Sequence, residues 1–578
     1  MKKKHLIFIA LIPTLLWFLF IYYKTGILFE TNDDRYISEI LSGVLTGNPE
    51  AHTSYVNYLL CLPLTLLYRI TGAVSWYGIM LLLSQIICYT LFFYILFRRW
   101  NYYSLPFYFG ILIAGIYISS LTQYTSTAAL LAIVGYVCLY SDFSPKTKHV
   151  MFFLLELFAF LLRYQAMLMI QPLGLLVFLS LQLTGQMNQA PKMSSFFSSV
   201  FLKKFLRQCL IPFLIILATI SIGTLGNRIG YRTSEWKEYI RYNNSRTELF
   251  DFYGAPNYDI AQSILDRYHV TENEYIAFCN FTILENNISA DCLEELASLS
   301  KAQYLEANST SSFVHIINCF TDSLSEYFGN NYWNLNKLLI TVWIFLVVAI
   351  IVSGKMFYFI PCIGLFFGRT ISWIYLLYRS RVPARVAIPL LLCELIFLIT
   401  ILSHVIPHTK KTPFKKTYIV LIICSIAFLY VSFNNGISQY RYIKQQNEAQ
   451  TLYDQSFLEL QNYCLEHPEN RYLIEAQSLA YYKGSVLSTA MYQPRNSLVT
   501  GCWYSASPAM KNTINEYLDI TSNADKHVKN PLYFIITADA SANEPILNYI
   551  SEYTQCPYAL IDKFTVSHGG TYLVYCFQ

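Results

Sequence analysis

Charged side chains are scarce. Lys, Arg, Asp and Glu make up 13% of the 578 residues, where soluble domains carry about 25%. A surface that poor in charge cannot all face water, so a soluble globular chain is excluded. The 14 cysteines never fall into CxxC or Cys/His ligand spacing, which argues against a zinc site of that kind. No internal repeat of the sort seen in many transporters is present. No small-x-small cleavage site follows the first apolar stretch, so that stretch reads as an uncleaved helix and not as a signal peptide.

What the chain does have is apolar length. A membrane-crossing helix needs about 20 apolar residues. Eleven segments approach that: 6–23, 77–97, 104–120, 125–140, 149–162, 166–183, 209–225, 336–353, 356–377, 386–403 and 417–433. The expected fold class is a polytopic α-helical membrane protein with about 11 transmembrane helices. Basic residues cluster between the apolar runs at Arg98-Arg99, Lys146 and Lys148, Lys203-Lys204 with Arg207, Lys355, and Lys410-Lys411 with Lys415-Lys416. With the N-terminus in the cytoplasm, every one of these short connections falls on the cytoplasmic side. The pattern is one of topology and not a nucleic-acid footprint, so no nucleic-acid partner is expected.

That arrangement leaves three long segments outside: 24–76, 226–335 and the tail 434–578. The predicted domains are therefore a transmembrane unit over 1–433, with outer loops 24–76 and 226–335, and a soluble extracytoplasmic α/β domain over 434–578. Within the tail, β-type runs at 471–475, 531–537 and 571–576 alternate with helical stretches near 507–520 and 542–553. No GxGxxG or GxxxxGK[ST] stretch occurs there, which argues against a phosphate-loop nucleotide site. Cys464, Cys502, Cys556 and Cys576 could pair if the tail is extracellular. The apolar but short stretch 56–70 reads as a surface-lying or re-entrant helix.

Directly after the first span comes Glu30-Thr31-Asn32-Asp33-Asp34-Arg35-Tyr36. A helix starts there, with Asn32 or Asp33 as a plausible cap. Glu50 and His52 follow beyond a Gly-Asn-Pro turn. Adjacent acids at a membrane exit can simply cap the next helix. The order is more suggestive: first span, acid pair, aromatic, turn, apolar stretch, large outer segments.

On these residues the sequence resembles the GT-C superfamily of polyprenyl-phosphate-dependent, multi-spanning glycosyltransferases. It is similar to the protein O-mannosyltransferases and the lipid A aminoarabinose transferases, which carry an acidic pair in the first outer loop. The resemblance is topological over most of the chain and motif-specific over about 29–57. The Lys-Pro element usual later in that loop is absent here, where Glu50-Ala51-His52-Thr53 stands; the subfamily stays open. The resemblance implies a transferase that moves a sugar from a polyprenyl-phosphate-linked donor to an extracytoplasmic glycan, lipid or protein acceptor, with inversion. Asp33 would be the base, and Asp34 would orient the acceptor or hold a divalent cation. A lipid-linked glycan flippase is the alternative, using the same acids as a proton or ion site.

Arginines on the outer side run against the positive-inside bias. Arg163, Arg379, Arg381 and Arg385 are the candidate phosphate ligands, because a guanidinium pairs bidentately with phosphate oxygens. They could also snorkel to lipid headgroups. Tyr36, Glu50, His52, Tyr124 and Arg246 are expected to line the substrate site. Arg369, Glu156 and Glu394 sit inside spans, where the two acids are expected to pair with arginines structurally.

Overall fold

The computed structural model describes residues 3–188, 199–284, 287–307, 312–325, 332–379, 382–406, 416–488, 496–517, 531–538 and 543–578. Arg381 and the lysines at 410, 411 and 415 lie outside the described residues. The chain is a helical polytopic membrane protein with a C-terminal mixed β-sheet domain.

Eight stretches among the described residues are long and apolar enough to cross a membrane. Two of them each contain two of the predicted segments. Trp76–Ala114 is interrupted by a 3-10 turn at Asn101–Ser104. Pro145–Met187 is interrupted at Arg163, whose backbone is extended (φ −160°, ψ 98°). Tyr124–Tyr140 is a shorter apolar helix. The predicted span 104–120 is really two helices, Leu105–Ala114 and Ile116–Ser120. They part at Gly115, where a Cβ would press on the Tyr89 hydroxyl and the Ile111 carbonyl. The break re-aims the chain into a two-residue strand.

That strand, β2 (Leu121–Thr122), pairs in parallel with β1 (Leu28–Phe29). The pair pins the start of the first loop to the bundle, and the Glu30 N–H donates to the Thr122 carbonyl (3.1 Å). The helix Asn32–Ser42 follows. Its N-cap is Thr31, not Asn32 or Asp33, because Thr31 is the last extended residue (φ −129°, ψ 157°). Gly43 ends it in the left-handed region (φ 82°). The stretch 56–70 forms the helix Tyr58–Ile70, capped by the Asn57 side chain.

The described residues of the segment 226–335 form mainly short helices with a small core of their own that includes Leu265, Tyr275, Phe278, Leu293 and Leu296. The final apolar helix does not stop at 433. It runs unbroken over Lys416–Glu466, which contains no proline. Its far end lays Phe457, Leu460 and Cys464 on the tail's sheet. The division expected at 433/434 therefore falls inside a helix.

The tail's strands are β3 (Arg471–Glu475), β4 (Ser497–Thr500), β5 (Leu532–Thr537), β6 (Tyr558–Thr565) and β7 (Thr571–Phe577). They lie in the order β4-β3-β5-β7-β6. The first three are mutually parallel, and β7 runs antiparallel to β5 and β6. Cys464, Cys502, Cys556 and Cys576 are all free thiols.

The tail is clipped onto the first loop. Phe29 N–H donates to Gly484 O (3.2 Å) and Val486 N–H to Ile27 O (3.1 Å). Ser75 Oγ donates to Val486 O (2.8 Å). Gly78 makes room for this segment: a Cβ there would collide with the Val486 carbonyl oxygen. Gly78→Ala is therefore expected to cost about 1–3 kcal/mol as overpacking and to loosen the tail. Thermal unfolding in detergent, with proteolysis of the tail as a second readout, checks this.

Candidate functional site

The acid pair divides into two unlike carboxylates. Asp34 is fully buried. Its Oδ1 accepts from the Tyr77 hydroxyl (2.9 Å) and the Tyr124 backbone N–H (3.1 Å). Its Oδ2 accepts from the Thr31 hydroxyl (3.2 Å). Three elements thus meet on one side chain, which makes Asp34 the tie that seats its helix. Burial pushes its pKa up, and neighbouring Asp33 and Glu30 add to the rise.

Asp33 is partly exposed. Its Oδ1 accepts from the Trp503 indole N–H of the tail (3.2 Å). Burial raises its pKa above the ordinary aspartate range; Arg385, Arg163, the Trp503 bond and Arg246 all pull it down. Those three arginines come from three regions far apart in sequence. The two acids' raised pKa values follow from solvent loss, the usual reason that charged groups at functional sites are perturbed.

Arg163 sits at the break in its long helix, and its guanidinium lies 5.3 Å from the ring centres of both Tyr55 and Tyr124. Among the described residues it makes no hydrogen bond or ion pair. Tyr55 and Tyr124 are near-parallel (14°) with centres 6.4 Å apart. Arg246 is buried and donates to Asn243 (3.1 Å), to the Tyr55 hydroxyl (3.4 Å) and to Thr247 (3.3 Å). Arg246, Arg163 and Tyr124 therefore join Asp33 around Tyr55.

Other predicted residues lie elsewhere. Arg379 is exposed and packs over Phe252 (4.4 Å), in the 226–335 segment. Tyr36 is buried in the core, with the Arg35 guanidinium 4.4 Å from its ring; Arg35 in turn pairs with Glu39 (3.5 Å). Glu50 and His52 form a brace. Nδ1 of His52 lies 2.6 Å from Glu50 Oε1, and Nε2 lies 3.0 Å from the Gly230 carbonyl. The imidazole stacks on Trp236 at 4.2 Å. Burial would raise the Glu50 pKa, but the His52 bond and charge hold it below normal. This pair locks the loop to Gly230, the end of its long helix, and both ring nitrogens of His52 are already engaged.

The sequence passed over three residues that the structure brings in. Glu30 is buried, accepts from the Tyr117 hydroxyl (2.8 Å) and has a pKa lifted by burial to about 7. Lys483 arrives from the tail within electrostatic reach of Glu30, its pKa lowered by burial. Trp503, also from the tail, holds Asp33. A clue to Glu30 was its place three residues before the acid pair.

A divalent cation on Asp34 does not fit this donor set. Both Asp34 oxygens are already engaged by neutral donors, and among the described residues no three of His, Cys, Asp and Glu converge.

Inside the bundle, Arg369 pairs with Glu394 (3.2 Å), both fully buried. Glu156 is held by Gln171 (3.0 Å), which also accepts from Tyr136. The expected arginine partner exists for Glu394 and is replaced by an amide at Glu156.

Fold and site together define a multi-pass helical membrane protein whose loop carboxylates are enclosed by its own C-terminal α/β domain. No protein-family model and no curated protein matches the chain. Among solved structures it is similar to ArnT from Cupriavidus metallidurans bound to undecaprenyl phosphate, at 9% identity and a TM-score of 0.38, over 98% of this chain and 97% of that one.

Proposed function

We propose that this protein is an integral membrane glycosyltransferase of the GT-C type. It moves a sugar from a polyprenyl-phosphate-linked donor to an acceptor on the non-cytoplasmic face: a cell-envelope glycan, a lipid or a protein. The observation that carries the reading is the partly exposed Asp33, held by Trp503 next to Tyr55, where Arg163 packs on the Tyr55 ring and Arg246 donates to its hydroxyl.

The geometry suits one displacement. Ionised Asp33 takes the proton from the acceptor hydroxyl or amine as its oxygen or nitrogen bonds to the anomeric carbon. The bond from that carbon to the phosphate oxygen breaks on the opposite face, so configuration inverts. The phosphate leaves with the electron pair, and Arg163 and Arg385 offset its charge. Asp34 positions the helix that presents Asp33. The Trp503 indole fixes the carboxylate's rotamer, and Arg246 holds Tyr55.

Topology supports the reading as well. Tyr77, which binds Asp34, and Arg99 stand at opposite ends of the helix Trp76–Trp100. At 1.5 Å per residue they are roughly 33 Å apart, about the thickness of a hydrocarbon core. The acids and the Arg98-Arg99 cluster therefore lie on opposite faces.

Mass spectrometry of envelope glycans from a deletion strain tests the proposal. One glycosyl substituent is expected to vanish and to return with the wild-type gene. An unchanged profile of envelope glycans, lipids and proteins refutes it. The pH dependence has a defined sign. The base must be ionised, and its pKa is raised. Activity is therefore expected to fall on acidification at a pH above the ordinary aspartate range, seen as the acid limb of kcat/KM.

A further inference from the structure

The base mechanism leaves Glu30 unexplained. Its backbone is fixed by β1, β2 and the tail. Its Oε1 accepts from Tyr117, while Oε2 is buried with no hydrogen-bond partner. Burying a polar oxygen without a partner is costly, and native structures rarely keep one without a reason. Two cations act on this carboxylate from different elements. Arg385 stands at the start of the helix Ala384–Val405, and Lys483 comes from the tail. Neither makes a hydrogen bond or ion pair among the described residues. Arg385 also acts on Asp33, so the two carboxylates share it.

We infer that Lys483 joins Arg385 in the phosphate subsite of the transfer reaction, and that Glu30 occupies their field when no phosphodiester is bound and takes up a proton when one enters. The inference rests on the transferase reading for the identity of the anion. The sequence of events is balanced in charge. The entering phosphate brings one negative charge beside Glu30. The carboxylate then binds a proton from solvent on its free Oε2. That O–H donates to a phosphate oxygen, and the proton returns to solvent when the anion leaves.

Among the described residues, the titratable groups that act on Glu30 fit this account. Tyr117 donates to it from the helix Ile116–Ser120, and Tyr442, whose ring centre lies 6.4 Å from that of Tyr117, interacts with it from the long helix Lys416–Glu466. Arg385 and Lys483 supply positive charge. Asp34, on the next helix, is the neighbouring acid. With its pKa lifted by burial to about 7, Glu30 can change charge in the physiological range. Lys483 also makes the tail part of the site, which explains why its loop is clipped to β1.

The test is binding and not turnover, so it stands apart from the base chemistry. The probe is a synthetic polyprenyl methyl phosphodiester, whose single charge does not titrate near neutrality. Its affinity for the full-length protein in detergent is measured between about pH 6 and about pH 8.5. Wild type is expected to weaken with rising pH by about tenfold more than Glu30→Gln, since one pKa unit equals a tenfold change in affinity. Lys483→Met is expected to lose about tenfold at neutral pH, the scale of one charge-assisted contact, and Lys483→Arg to retain most of the binding. Equal pH slopes in wild type and Glu30→Gln overturn the proton coupling. If Glu30→Gln fails to fold, Lys483→Met decides alone, because Lys483 is partly exposed and its replacement does not threaten the core. Wild-type affinity in Lys483→Met overturns the subsite. Asp33→Asn serves as control: retained binding with lost transfer separates this site from the base.

Discussion

Asp33→Asn is expected to reduce sugar transfer by a factor of about 10² to 10⁴, the range that a general base contributes, with the protein folded and its lipid phosphodiester still bound. Asn keeps the shape and keeps an oxygen for the Trp503 indole, but it cannot accept the acceptor's proton. Asp34→Asn should behave differently. All three contacts to Asp34 come from donors, so one amide N–H₂ would face a donor and leave it unpaired. That costs about 1–3 kcal/mol and shows as a lower unfolding temperature, with activity falling because Asp33 is misplaced. Transfer of radiolabelled sugar and thermal unfolding, measured on the same preparations, separate the two. If Asp33→Asn instead keeps transfer chemistry and alters only the flux of lipid-linked glycan, the flippase alternative replaces the enzyme.

The division of labour between the two acids was not legible in the sequence. Adjacent residues on a helix point about 100° apart, so one of a pair must turn inward. Which one depends on what the bundle offers, here the Tyr77 hydroxyl and the first N–H of the helix starting at Tyr124. The arginines were more readable. Arg163 and Arg385 stood out because a basic residue on the less basic side of a membrane protein needs a reason. The same argument also selected Arg379, which packs on Phe252 instead. Charge sign and depth locate a side chain along the membrane normal but not around it.

Glu50, His52 and Tyr36 show a second limit. A titratable pair in a loop next to an acid motif suggests chemistry. Here the pair satisfies itself and a helix-end carbonyl, while Tyr36 serves the core. Lys483 and Trp503 carried no pattern at all. They sit in irregular stretches of the tail and reach the site only through tertiary docking. The eleven apolar segments were legible because burial in lipid imposes composition over 20 residues at a time. The helix break at Gly115, the extended residue at Arg163 and the unbroken run past 433 were not, since each turns on a single close contact or on the absence of a proline.

Arg369→Met is expected to destabilise the protein by about 3–5 kcal/mol, the cost of leaving one member of a buried ion pair uncompensated. Arg369 pairs with Glu394 (3.2 Å) and donates to the Ser323 carbonyl (2.6 Å). Trp343 donates to the second Glu394 oxygen (2.9 Å). Without Arg369 the carboxylate loses its cationic partner in an interior where an uncompensated charge is costly. The double variant Arg369→Met with Glu394→Met should recover much of the loss, because removing both charges removes the desolvation penalty as well. Urea or thermal unfolding in detergent micelles reads both. The consequence reaches the site. Glu394 and Arg385 lie on the same helix, Ala384–Val405, and the ion pair fixes that helix against Phe359–Tyr378. Freed from it, the helix can shift the Arg385 guanidinium away from Asp33 and Glu30. Arg369→Met is thus expected to lose transfer activity even at temperatures where it remains folded, and the double variant to regain stability more fully than activity. Full activity in a folded Arg369→Met protein would mean that Arg385 is positioned by something other than this pair.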